Sequence, residues 1–212
     1  MGSKNYSSWS LRPWLLARKA GYEFDERVIH FADPGYQSQI AAVSSSRRVP
    51  VLVLGTSPVW DSLAICEFIA ESTGRGLPRN ALARARCRSV AAEMHAGFGA
   101  LREQCPMNVR AGPVRVAATP ELAMDIARID QLWADCRREF GSGGAWLFGE
   151  FSLADAMFAP VCFRFATYGA SLGDSSRDYL AHVLADPAMR EWAEDCRVEG
   201  HPLARVNELG QR

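Results

Sequence analysis

The sequence predicts two parts, a small mixed α/β domain over residues 1–74 and an all-helical domain over residues 81–212. Three observations carry this. Strand-like patterns, with alternating or β-branched apolar residues, occur only before residue 61. The stretch "GRGLPRN" (Gly74–Asn80), with two glycines and a proline, reads as a linker. Beyond it, the apolar residues recur only at helical spacing.

Taken in chain order, "YSSWS" (Tyr6–Ser10) places serines ahead of "LRPWLLARKAG", where Leu11, Trp14 and Leu15 share a helical face and Gly21 is the stop. Pro13 falls in the first turn, where a missing N–H costs little. "YEFDERVIHF" (Tyr22–Phe31) alternates as a strand, and residues 32–48 leave room for at most one short helix. "VPVLVL" (Val49–Leu54) is a buried-strand run, "GTSP" a tight turn, and "VW" the start of an antiparallel partner. "DSLAICEFIAEST" (Asp61–Thr73) is a helix capped at Asp61 or Ser62 and closed by Gly74. Helices follow over 81–105, 119–140, 153–169, 176–185 and 187–196. Ser152 and Asp155 form an S-x-x-D capping box with Phe151 just outside, which reads as structural.

Lys plus Arg and Asp plus Glu both total 24, so no global charge drives the chain toward nucleic acid or an anionic membrane. The local run "ARARCRSV" (Ala83–Val90) reads as solvated helix turns. No apolar run approaches the ~20 residues of a membrane span, and the N-terminus lacks the apolar core of a signal peptide. The six cysteines stand singly, with no CxxC and no close His. That spacing argues against a metal site and a disulfide scaffold, and fits buried thiols in a reducing cytoplasm.

Three constellations could carry chemistry. Ser7, Ser8 and Ser10 offer hydroxyls at a helix N-terminus, where they serve as caps or hold an anion such as a thiolate. Pro50 opens a strand without donating to its ladder. It is a plain strand start or a cis proline, and a cis bond would leave the Val49 backbone free to pair with an extended peptide. Asp61 and Ser62 cap a helix, and the same geometry would grip a carboxylate beside an ammonium.

In order and spacing, "SSWSLRPWLLA", "RVPVL" and "DSLAICEFIAE", followed by "AAEMHAGFGALREQCPMNVR" (Ala91–Arg110) and "EFSLADAMFAPV" (Glu150–Val161), resemble the cytosolic glutathione transferases, specifically their bacterial, zeta-like branch. The resemblance implies a thioredoxin-like N-terminal domain that binds glutathione and an all-α C-terminal domain that forms most of the acceptor pocket. It implies that Val49, before a cis Pro50, pairs with the cysteinyl backbone of glutathione, that Asp61 and Ser62 hold its γ-glutamyl end, and that Ser8, with Ser7 beside it, donates to the sulfur. Arg48 stands where relatives often have Gln. Trp9 stands where zeta-class maleylacetoacetate isomerases usually have a cysteine. On the helix from residue 83, Met94, Phe98 and Leu101 share a face that reads as core or as acceptor-pocket wall. His95, Arg102 and Arg110 are candidates for an anionic acceptor. The resemblance also implies a central first strand, in whose place only "MGSKNY" precedes Ser7, so a strand of two or three residues is expected or the chain is shortened there.

A thiol of pKa ≈ 8.5 is only a few per cent thiolate at neutral pH. One hydroxyl donor plus a helix terminus would lower that by about one to two units, with no metal or general base. The expectation is therefore a homodimeric cytoplasmic transferase that adds glutathione to a small electrophile. The alternatives are a glutathione-dependent cis–trans isomerase, which returns glutathione unchanged, and a non-catalytic module of the same fold.

Overall fold

The computed structural model describes residues 1–200, 202 and 203. The end of the expected helical domain, up to Arg212, lies outside the described residues. Helix α1 (Ser8–Ala20) is capped by Ser7, whose side chain accepts from the Ser10 N–H, and closed by left-handed Gly21. Helix α2 (Tyr36–Val43) is the one short helix of the polar stretch. Strands β1 (Leu52–Leu54) and β2 (Ser57–Val59) pair antiparallel, with Leu54 opposite Ser57 and Leu52 opposite Val59. Helix α3 (Ser62–Thr73) follows, capped by Asp61 and ended by Gly74 at φ 65°. After the linker come α4 (Ala81–Ala96), α5 (Gly99–Gln104), α6 (Pro120–Phe140), α7 (Leu153–Tyr168), α8 (Asp174–Ala185) and α9 (Pro187–Val198).

Three expectations needed correction. The first is the strand over 22–31, which forms only one parallel bridge, Gly2 to Ile29, with the Ile29 N–H donating to the Met1 carbonyl at 2.8 Å. The residues before Ser7 therefore supply a single pairing rather than a strand. A cavity of about 490 Å³ lies beside β1, lined by Ser10, Trp14, Ile29, Val51, Ile65 and Ile69 among others. Gly2 lets the Phe31 ring approach closely: a Cβ there would stand 2.3 Å from the ring tip, which would have to shift. The second is the strand over 49–54, which shortens to Leu52–Leu54.

The third is the helix over 81–105, which breaks at Gly97–Phe98. Phe98 takes a left-handed backbone (φ 63°) that lets both it and Leu101 bury. Arg102 folds back onto the C-terminus of α4 and donates to the carbonyls of Met94, His95 (3.5 Å) and Gly97 (2.9 Å). A cation there complements the helix dipole and satisfies orphan carbonyls. Phe98 thus belongs to the core.

Helix α1 packs on α3 within the first part and on α7 across the junction. In the helical part, Trp133, Phe158, Phe165 and Tyr179 meet edge to face or tilted in the buried core. The box at the start of α7 is fully buried. The Asp155 carboxylate accepts from Ser152 N–H (2.8 Å), Ser152 O–H (2.7 Å), Leu147 N–H (3.1 Å) and Tyr179 O–H (2.9 Å). Burial still pushes its pKa up to about 6.

Candidate functional site

The serine loop is pinned by both ends of the chain. The Lys4 and Asn5 N–H groups donate to the Glu199 carboxylate (3.0 and 2.9 Å). Lys4 Nζ bridges Glu26 (2.7 Å) and Asp195 (2.6 Å) while lying over the Trp14 and Trp192 rings. Asn5 donates to Asn108 at 2.8 Å. Arg110, expected to face an anionic acceptor, belongs to this clamp instead. Its N–H donates to Asn5 Oδ1 (2.8 Å) and its guanidinium to the Glu199 carbonyl and Tyr6 O–H.

The structure separates the two serines. The Ser7 hydroxyl donates to Ser10 Oγ at 2.8 Å, and Ser10 Oγ also accepts from the Gly2 N–H (3.1 Å). The proton of Ser7 is committed within the loop. Ser8, the first residue of α1 and only 5% exposed, accepts from Arg164 Nη2 at 3.2 Å. Its own proton finds no acceptor among the described residues, and it sits at the positive end of α1.

Trp9 gathers the next layer. Its ring meets His95 edge-on at 5.3 Å, with Arg12 at 4.2 Å and Arg102 at 4.7 Å from its centroid. His95 Nε2 lies 2.9 Å from Asp61 Oδ2, so Asp61 reaches across to α4 while its other oxygen caps α3. Burial lowers the His95 pKa, as do Arg12 and Arg102, against the opposing pull of Asp61. The ring is accordingly neutral at pH 7.

Several buried polar groups here have no hydrogen-bond partner among the described residues: Ser62 Oγ, Arg12 Nε and Nη1, and His95 Nδ1. A buried polar group without a partner is costly, so orphans gathered in one place are expected to meet a ligand. Arg12, Arg102 and Arg164 have no carboxylate within ion-pair distance among the described residues. Burial, followed by mutual repulsion involving Arg102, lowers Arg12 to about 9 and Arg164 to about 10. The Val49–Pro50 and Trp60–Asp61 peptide bonds are both cis. Val49 neighbours Gly2, and Pro50 shares the cavity beside β1 with Ser10. Arg48 is exposed, and its backbone N–H donates to Ser44 Oγ at 3.4 Å.

Sequence reasoning passed over Arg12 and Arg164. A signal for both existed. Each is the lone charge on an apolar stretch, "SLRPWLL" and "APVCFRFATYG" (Ala159–Gly169), where an ionised side chain needs a reason to be buried. Among the described residues, no group of three His, Cys, Asp or Glu is placed to hold a metal ion, and no helix is long and apolar enough to cross a membrane.

Comparison with solved structures finds the same fold in several proteins. A Burkholderia glutathione transferase homologue with bound glutathione is 20% identical, covers 92% of this chain and 95% of its own, and has a TM-score of 0.68. A maleyl pyruvate isomerase, described as a bacterial zeta-class glutathione S-transferase, is 18% identical over 93% of this chain and 97% of its own, with a TM-score of 0.71. The tau-class enzyme of mango is 15% identical over 99% and 94%, with a TM-score of 0.66. Comparison with curated protein sequences finds no match. The glutathione S-transferase N-terminal domain profile matches residues 6–72 and the corresponding C-terminal domain profile matches residues 82–195. With both profiles matched in order along most of its length, the chain belongs to the glutathione S-transferase family.

Proposed function

We propose that this transferase binds glutathione at the N-termini of α1 and α3, activates it as a thiolate with Ser8, and adds it to a small electrophile. The observation that carries the reading is the contrast between the serines: the Ser7 proton is engaged by Ser10, and the Ser8 proton is not. A hydrogen bond to a thiolate strengthens as charge forms on sulfur, so it lowers the thiol pKa rather than merely binding the tripeptide. The orphan Ser62 hydroxyl and the start of α3 suit the γ-glutamyl carboxylate, with Asp61 available to its ammonium. A cis peptide before Pro50 suits backbone pairing of Val49 with the cysteinyl unit. All six cysteines are buried and unpaired, which supports a reducing compartment.

The test is a pH titration of the thiolate ultraviolet band of glutathione with the protein, beside Ser8→Ala. A bound thiol about one to two units below its ordinary ~8.5 is expected, rising back in the variant. A bound thiol unaffected by Ser8→Ala would sink the serine mechanism.

A specific observation favours a second reading. Arg12 and Arg164 are buried without a carboxylate within ion-pair distance among the described residues, Arg12 over Trp9 and Arg164 on Ser8. That arrangement suits an anionic acceptor, including an unsaturated acid isomerised by reversible glutathione addition. Glutathione consumption separates the two, since conjugation removes it and isomerisation returns it.

A further inference from the structure

Arg164 projects from α7 of the helical part and is 6% exposed. One guanidinium nitrogen donates to the Cys105 carbonyl and another to Ser8 Oγ at 3.2 Å. The group is therefore tied at both ends, one to the chain after α5 and the other to the first turn of α1. We propose that Arg164 is a positioning residue for thiol activation: by occupying a lone pair of Ser8, it turns the hydroxyl proton toward the glutathione sulfur. This rests on the reading of Ser8 given above.

A serine hydroxyl has one donor proton and two acceptor sites, and its rotor is otherwise free to seek a nearby backbone carbonyl. A guanidinium on one side bars the proton from that side. It also polarises the O–H bond, which strengthens the hydroxyl as a donor. Ser7 accepts only from the Ser10 N–H, at 3.4 Å, with no charged donor on it among the described residues, and its proton turns inward to Ser10 Oγ. Burial and Arg102 lower the Arg164 pKa to about 10, which still leaves it charged near neutrality. The cations Arg102 and Arg12 face it, burial raises the Cys105 thiol to about 11, and burial raises the Tyr168 phenol above its ordinary value. Neither the thiol nor the phenol ionises near neutrality. Without a carboxylate partner, Arg164 gains little for folding from its burial, whereas a two-ended clamp on the serine gives that burial a use.

The experiment is the same thiolate titration on Arg164→Met, Arg164→Lys, Ser8→Ala and the Ser8→Ala/Arg164→Met double variant. Arg164→Met is expected to raise the bound thiol pKa by about one to two units, as Ser8→Ala does. The double variant should rise no further than Ser8→Ala alone, because the arginine acts through the serine. Arg164→Lys, which keeps a cation beside Ser8, should recover at least half of the shift and guards against a variant that merely packs poorly. By linkage, glutathione affinity above pH 9, where the thiolate binds, should weaken about tenfold for each unit that a variant raises the bound thiol pKa, and less at pH 5, where the thiol binds. The proposal is overturned if Arg164→Met leaves the bound thiol unmoved, or if its full shift adds to that of Ser8→Ala, which would place the arginine's effect directly on sulfur. A wild-type protein that shows no bound thiolate overturns the serine mechanism and this proposal together.

Discussion

Asp155→Ala isolates the box that starts α7. The substitution strips partners from four buried donors: Ser152 N–H and O–H, Leu147 N–H and Tyr179 O–H. Each buried orphan costs about 1–3 kcal/mol, giving roughly 6–8 kcal/mol once the hydroxyls turn to weaker acceptors. Against this, a carboxylate raised from 3.8 to about 6 is ionised at pH 7 at a folded-state cost of about 3 kcal/mol, which the variant removes. The net loss at neutral pH is about 3–5 kcal/mol, or roughly 10 °C in melting temperature for a chain of this size. The sign of the pH dependence follows. The folded protein holds the Asp155 proton more tightly than the unfolded chain does, so the stability contributed by this group is fully present below pH 3.8 and is lost as pH rises through about 6. The wild-type advantage over Asp155→Ala should therefore be larger at pH 5 than at pH 7.5. Scanning calorimetry at both pH values measures it, with glutathione binding at 15 °C as the control. An unchanged melting temperature, or a wild-type advantage that grows from pH 5 to pH 7.5, would refute the reasoning.

Two further substitutions probe the site and its anchor. Arg12→Met removes a cation whose depression to about 9 marks a poorly compensated burial. It should raise the melting temperature by a few degrees (about 1–3 kcal/mol) while weakening the thiolate band of bound glutathione, and a variant less stable than wild type would contradict it. Glu199→Ala leaves the Lys4 and Asn5 N–H groups without their acceptor and should cost about 2–4 kcal/mol in urea unfolding, with a parallel loss of thiolate formation. An unmoved urea midpoint would mean the clamp does not hold the serine loop.

The sequence made legible what depends on neighbours along the chain. Periodicity and caps located α1, α3 and the helices beyond the linker, because Ser7, Asp61, Gly21 and Gly74 act within a turn of their own helix. The β1–β2 hairpin was readable for the same reason. The strand over Tyr22–Phe31 was not, because a ladder needs partners on either side, and only Gly2 reaches Ile29. The break at Phe98 escaped notice because Arg102 makes it by folding back onto α4, and a continuous helical stripe carries no sign of that. Arg110 and Arg102 were candidates for the acceptor region because the resemblance sets their helix along the cleft, whereas their donors are used by carbonyls of the clamp and of α4. The arginines left without acid partners, Arg12 and Arg164, lie in apolar stretches, where periodicity marks only core.

The serine loop owes its geometry to the second half of the chain. Lys4 is held by Asp195, Asn5 by Asn108, Ser8 by Arg164 and Trp9 by His95, all partners more than eighty residues away. The first half supplies the hydroxyls, the helix N-termini and the cis peptides, while the second half decides which way the Ser8 hydroxyl faces and which charges surround it. On the proposed reading, a substitution in α7 or in the chain after α5 reaches the thiol without touching the tripeptide, because Arg164 ties Cys105 to Ser8. Burying Arg12 and Arg164 without a carboxylate partner costs stability that apolar packing would not, and the proposed reading gives that cost a use: their charge would favour an anion, thiolate or carboxylate, beside Trp9 and Ser8.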